Sequence, residues 1–178
     1  FHTTEAGTAS VTPSGVASDL NVPLGNTTYT FDTLSEGSYN AWVFVTDEAG
    51  NTSSGLSVSF TIDITPPEVT GHSRYTDENG NGVCDPGDKI TVRFSESLTL
   101  NTPSGNDFEL PVDSDSLGSG ATVATGSGSS EIVITLGTGA SLKSRGTYDT
   151  ANISTNHPSG IDVTNTDQIT DLAGNNAI

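Results

Sequence analysis

The chain has 178 residues, 22 of them Asp or Glu and only 5 Lys or Arg, for a formal net charge of −17. Such an excess of carboxylates excludes a nucleic-acid partner, whose phosphates need a basic footprint, repels anionic membranes and favours capture of cations. At 31% hydrophobic and 15% charged residues the composition is too poor in Leu, Glu, Lys, Ala and Arg for a helical bundle, and no apolar run reaches the ~18–20 residues that cross a bilayer.

Short β-like runs separated by turn residues fill the chain, which reads as all-β. Thr28–Asp32 alternates between Gly25-Asn26 and Glu36-Gly37. Tyr39–Thr46 is apolar on both parities, with Ala41, Val43 and Val45 on one and Trp42 and Phe44 on the other, as in a central strand covered on both faces. Leu56–Asp63 alternates, placing Leu56, Val58, Phe60 and Ile62 on one face. Thr65-Pro66-Pro67 must be extended, because the residue before a proline avoids the helical region, and is the linker between modules 1–66 and 67–178.

Beyond the linker, Lys89–Ser95 turns Ile90, Val92 and Phe94 inward, and Glu131–Leu136 reads as a buried strand. Shorter strands are expected at Phe108–Val112, Ala121–Ala124 and Ile161–Val163, with at most one helical turn near Ala140–Lys143. The motif Asp-x-Ala-Gly-Asn occurs twice, at Asp47–Asn51 and Asp171–Asn175. After a strand it reads first as a turn, and a metal role for Asp47 or Asp171 is the lesser reading.

The sharpest signal is Asp77–Asp88. Oxygen-bearing side chains stand at positions 1, 3, 5, 9 and 12 of a twelve-residue loop with Gly82 at position 6, the spacing that wraps a loop around Ca²⁺. Asp77, Asn79 and Asn81 would offer side-chain oxygens, Val83 its carbonyl, Asp85 a direct or water-mediated contact, and Asp88 would close the site. Position 12 is Asp rather than Glu, and a strand rather than a helix follows. The other reading of the segment is a polar turn. Magnesium prefers fewer protein ligands, and one Cys (Cys84) with three scattered His makes no zinc cluster. Enzyme signatures are absent: there is no G-x-S-x-G elbow, no H-E-x-x-H and no Walker loop.

The stretch from Leu34 through Tyr39, Val43, Val45 and Asp47–Asn51 to Asp63-Ile64-Thr65-Pro66 resembles bacterial immunoglobulin-like (Big-type) tandem repeats of large extracellular adhesins. In that resemblance Tyr39 is similar to the tyrosine corner of such sandwiches. The second half is similar to modules that carry D-x-N-G-N-G-x-x-D-x-G-D before V-x-F-S-E, matched by Asp77–Asp88 and Val92–Glu96. The resemblance implies two Ig-like β-sandwiches in tandem, a spacer or stalk role at the cell surface, stiffening by Ca²⁺, neighbouring modules as partners, and no catalysis. Only three residues follow Asn175 and the first module is short of the ~100 residues of an Ig sandwich, so opening strands of the first module and the last strand of the second are expected to be missing. Strand donation by Thr8–Thr12, or by residues before it, to the second module of another copy, giving a head-to-tail filament, is the alternative role. Calcium-dependent glycan binding is a weaker one.

Overall fold

A computed structural model describes residues 1–15, 20–28, 30–110, 115–142 and 161–178. The chain divides into two compact units, Phe1–Ile64 and Thr65–Ile178, each built from β-strands around its own core. The boundary lies at Ile64 rather than at Pro66: Pro67 is buried and its carbonyl accepts from the Ile178 N–H at 3.0 Å, so the prolines belong to the second unit.

In the first unit the strands are β1 (His2–Thr3), β2 (Gly7–Thr12), β3 (Leu20–Val22), β4 (Gly25–Asn26), β5 (Gly37–Asp47) and β6 (Leu56–Ile62). A four-stranded antiparallel sheet runs β3-β2-β5-β6, and β1 pairs with β4. Ala9, Val11, Val22, Ala41 and Val43 form the core, with Phe31, Leu34, Tyr39 and Phe60 packed against it. The Tyr39 hydroxyl donates to the Ser35 carbonyl at 2.8 Å and so ties the start of β5 to the turn before it, as expected of a tyrosine corner.

β2 and β3 are opening strands that the first unit was expected to lack, and Thr8–Thr12 lies between β3 and β5, with Thr8 opposite Thr46 and Thr12 opposite Trp42. β5 pairs that whole segment and β3 its Thr8–Ala9 part, so the strand is already used within its own unit. Thr28–Asp32 forms no strand among its described residues (Tyr29 lies outside them); Phe31 instead packs its ring on Phe60 at 4.6 Å. β5 is covered on one face only: Ala41 is fully buried, whereas Trp42 is 43% exposed and stacks beside Phe44 on the outer face. On β6 the expected parity holds, since Leu56, Val58 and Phe60 pair with Val43, Ala41 and Tyr39, but Leu56 and Val58 remain 51% and 37% exposed. β6 is the edge of the sheet, and a cleft of about 530 Å³ opens beside it between the Phe1–Ala6 segment and Val43, Val45 and Leu56.

The second unit contains β7 (Val69–Thr76), β8 (Lys89–Phe94), β9 (Leu98–Leu100), β10 (Phe108–Glu109), β11 (Thr122–Thr125), β12 (Glu131–Thr135), β13 (Asp162–Val163) and β14 (Ile169–Asp171). Its main sheet runs β11-β12-β8-β7, and β9-β14 and β10-β13 form two smaller antiparallel pairs. Ile90, Val92, Phe94, Ile132, Ile134 and Leu136 from the main sheet meet Leu98, Phe108, Leu117, Ile161, Val163, Ile169 and Ala177 in one cluster. Alternation on β8 and β12 produces this face directly, because paired residues such as Val92 and Ile132 point to the same side. β10 is shorter than expected. Residues 111–112 of that expectation, and Lys143 of the expected helical turn, lie outside the described residues, while 140–142 form no helix.

Candidate metal centre

The loop that closes β7 onto β8 contains every residue of the expected ligand set. It departs from the sheet at Asp77, a half-buried residue whose two carboxylate oxygens accept the Gly80 N–H and the Gly82 N–H, each at 2.7 Å. One side chain thus winds the first half of the loop around itself. Gly80 and Gly82 have φ of 71° and 76°, a region in which a Cβ is strained, so the turn requires glycine at both places.

Three of the expected ligands converge. The Asn79 amide donates to both Asp85 oxygens at 3.0 and 3.2 Å, and the Asn81 amide donates to Asp85 Oδ2 at 2.6 Å. The Asn oxygens serve the loop itself: Asn79 Oδ1 accepts from the Asn81 N–H at 3.0 Å and Asn81 Oδ1 from the Val83 N–H at 2.7 Å. Two amide NH₂ groups therefore stand in front of the Asp85 carboxylate, the place a cation would take if both side chains turned their oxygens inward. The Val83 carbonyl accepts from the Tyr75 hydroxyl at 3.3 Å.

Asp88 has a different part. It is almost wholly buried, and its carboxylate accepts a short hydrogen bond from the Tyr75 hydroxyl together with the Glu78 and Asp85 N–H groups, both at 3.0 Å. Tyr75, followed by the Asp85 and Glu78 amides, holds the Asp88 carboxyl below its ordinary value, and the same bond pushes the Tyr75 phenol up. Asp88 thus closes the loop by collecting its backbone and pinning it to β7. The Gly87 N–H to Leu136 carbonyl bond (3.0 Å) and the Leu136 N–H to Asp88 carbonyl bond (2.8 Å) fix its far end to the strand end at Leu136. Tyr75 was not legible in the loop spacing, because it lies two residues outside it and reaches Asp88 only through the β7–β8 pairing.

The donor set suits a hard cation: carboxylates, side-chain amides and one carbonyl, with no nitrogen or sulfur ligand. The half-buried Cys84 packs against the second core, and burial pushes its thiol up. The Lys89–Glu78 ion pair at 3.0 Å has both side chains about two-fifths exposed and contributes little.

Both Asp-x-Ala-Gly-Asn motifs fold as turns. Asp47 accepts the Asn51 N–H at 2.7 Å and its side-chain amide at 2.8 Å; Asp171 accepts the corresponding Asn175 groups at 2.8 and 2.7 Å and the Gly174 N–H at 2.6 Å.

Residues 3–64 match the family model of the bacterial Ig-like domain. The first unit is similar to that domain. The match spans about a third of the chain, and the second unit carries the all-β sandwich architecture. No curated protein and no solved structure matches the chain. No helix among the described residues is long and apolar enough to cross a membrane.

Proposed function

We propose that the chain is a non-enzymatic structural segment of an extracellular surface protein, two Ig-like modules in tandem, the second stiffened by Ca²⁺ in the Asp77–Asp88 loop. Bacterial Ig-like domains generally serve as structural modules of surface proteins, which supports the role. The observation that carries the ion is the convergence of Asn79, Asn81 and Asp85 within 2.6–3.2 Å in a loop whose backbone Asp77 and Asp88 already hold. The ligands are Asp77, Asn79, Asn81, the Val83 carbonyl and Asp85, with Asp88 closing the loop from beneath. An ion that binds only the folded loop stabilises the second unit by about 2.7 kcal/mol at ~100 times its Kd. Chelator should therefore lower the melting temperature of the second unit and leave the first unchanged, Asp77→Ala should abolish the response to added Ca²⁺, and Mg²⁺ should substitute poorly. Melting curves indifferent to both chelator and Asp77→Ala would reduce the loop to a turn.

One observation favours a second reading, a filament joined by strand pairing. Among the described residues β6 pairs with β5 alone, and it presents Leu56 and Val58 without the lysine, proline or bulge that usually blocks a sheet edge. In that reading β6 accepts a strand, and the donor is a segment other than Thr8–Thr12. Light scattering would then show mass rising with concentration, and Val58→Lys would hold the protein monomeric. A wild-type monomer at high concentration, with Ca²⁺ present, removes the filament.

A further inference from the structure

Asn79-Gly80 and Asn81-Gly82 are the only Asn-Gly steps in the chain, and both lie in the exposed part of the loop. We propose that they form a latent modification site, two deamidation centres held silent by the carboxylate of Asp77.

Asparagine before glycine is open to attack on its own side chain, because glycine has no Cβ to keep its nitrogen away from the side-chain Cγ. The glycine nitrogen gives up its proton and bonds to Cγ. The bond from Cγ to the amide nitrogen breaks, and ammonia leaves carrying that proton. Water then opens the five-membered imide at either carbonyl, giving aspartate or isoaspartate. One water enters and one ammonia departs, and nothing is oxidised or reduced.

The nucleophile at each step is the very N–H that Asp77 binds. Gly80 N donates to Oδ1 and Gly82 N to Oδ2, both at 2.7 Å. Deprotonating either nitrogen would set an amide anion at hydrogen-bond distance from a carboxylate, and a neighbouring like charge disfavours the charged form. The electrophile is held as well. Each Asn oxygen accepts from the N–H two residues on, at 3.0 and 2.7 Å, and each amide nitrogen donates to Asp85, so both side chains are fixed at both ends. One residue thus guards two sites with its two oxygens. Reaction at either adds a negative charge to a chain already at −17, and the isoaspartate product lengthens the loop backbone by one carbon, which breaks the ligand spacing irreversibly. These hydrogen bonds are those of the ion-free loop, the state in which Asp77 guards both sites.

The test is peptide mass mapping of the full chain during incubation at mildly alkaline pH, with chelator present. Native wild-type protein should keep Asn79 and Asn81, while the same chain in urea converts both. Asp77→Ala should convert about ten- to a hundredfold faster than native wild type, the expected effect of losing a hydrogen bond to a charged acceptor. Glu78→Gln, which removes a neighbouring carboxylate but leaves both glycine N–H groups on Asp77, should stay close to wild type. If circular dichroism shows Asp77→Ala unfolded, Asp77→Asn decides, since it keeps the shape and one acceptor but not the charge. Conversion of native wild type at the rate of the urea-treated chain, or native-rate conversion in the Asp77 variant that remains folded, overturns the proposal.

Discussion

Ile134→Ala should destabilise the second unit by about 2–5 kcal/mol, toward the upper end of that range. Ile134 is completely buried, and its neighbour in the pairing, Ile90, is 4% exposed. Its strand, β12, is hydrogen-bonded to β8 on one side and β11 on the other, so the backbone cannot close around the lost atoms without breaking a ladder. A cavity that cannot collapse costs both the transfer free energy of the deleted carbons and the contacts of the side chains left facing it. Ile134→Val removes one methylene and should cost about 0.5–1.5 kcal/mol. The first unit has its own core and the only tryptophan, Trp42, on its outer face. Fluorescence during urea unfolding should follow the first unit and stay unchanged, while the far-ultraviolet dichroism loses its second-unit component earlier. A fluorescence transition that moves with the dichroism would show the two units to unfold as one.

The strands legible in the sequence are those whose alternation and pairing agree. Lys89–Ser95 and Glu131–Leu136 were readable to within a residue because each buries one parity and each is central in its sheet. β7 was not: Val69–Thr76 buries only Val69, carries Gly71 and a register shift between Thr70 and Arg74, and is held as an edge strand by its ladder to β8. β2 escaped for another reason. Its apolar residues, Ala9 and Val11, are small and few, and its partner β5 lies some thirty residues away, so only the tertiary pairing reveals it. Trp42 shows the converse error. Apolar residues on both parities of β5 suggest two covered faces, but periodicity does not say whether a second layer exists to cover the outer one. In the loop, oxygen spacing was visible in the sequence. The division of labour was not, because Asp77 acting on the turn and Asp88 acting on Tyr75 depend on hydrogen-bond direction rather than on residue order.

The two Asp-x-Ala-Gly-Asn turns make a controlled comparison, and Asp171→Ala should cost the second unit about 2–3 kcal/mol while Asp47→Ala costs the first unit distinctly less. The local bonding is nearly the same: in each, the backbone N–H of the Asp also donates to the carbonyl of the motif's Asn at 3.0 Å. Surroundings separate them. Asp171 is 2% exposed, and the turn it holds returns the chain so that Ala177 enters the core and donates to the Ile169 carbonyl at 2.9 Å. Asp47 is half-buried beside an exposed Asn51, where water can replace a lost acceptor. Burial by itself would raise the Asp171 carboxyl, but the Asn175 side chain and the Asn175, Gly174 and Ala173 amides outweigh it and hold the group below its ordinary 3.8. A carboxyl lowered by folding contributes stability that is whole above the unfolded value and is lost as pH falls through the folded one. Acidification below 3.8 should therefore erode the second unit in wild type and less so in Asp171→Ala, which has already lost that contribution. Thermal melts of both variants across that range decide the matter: equal losses for Asp47→Ala and Asp171→Ala would mean that the turn itself, and not its burial, sets the energy.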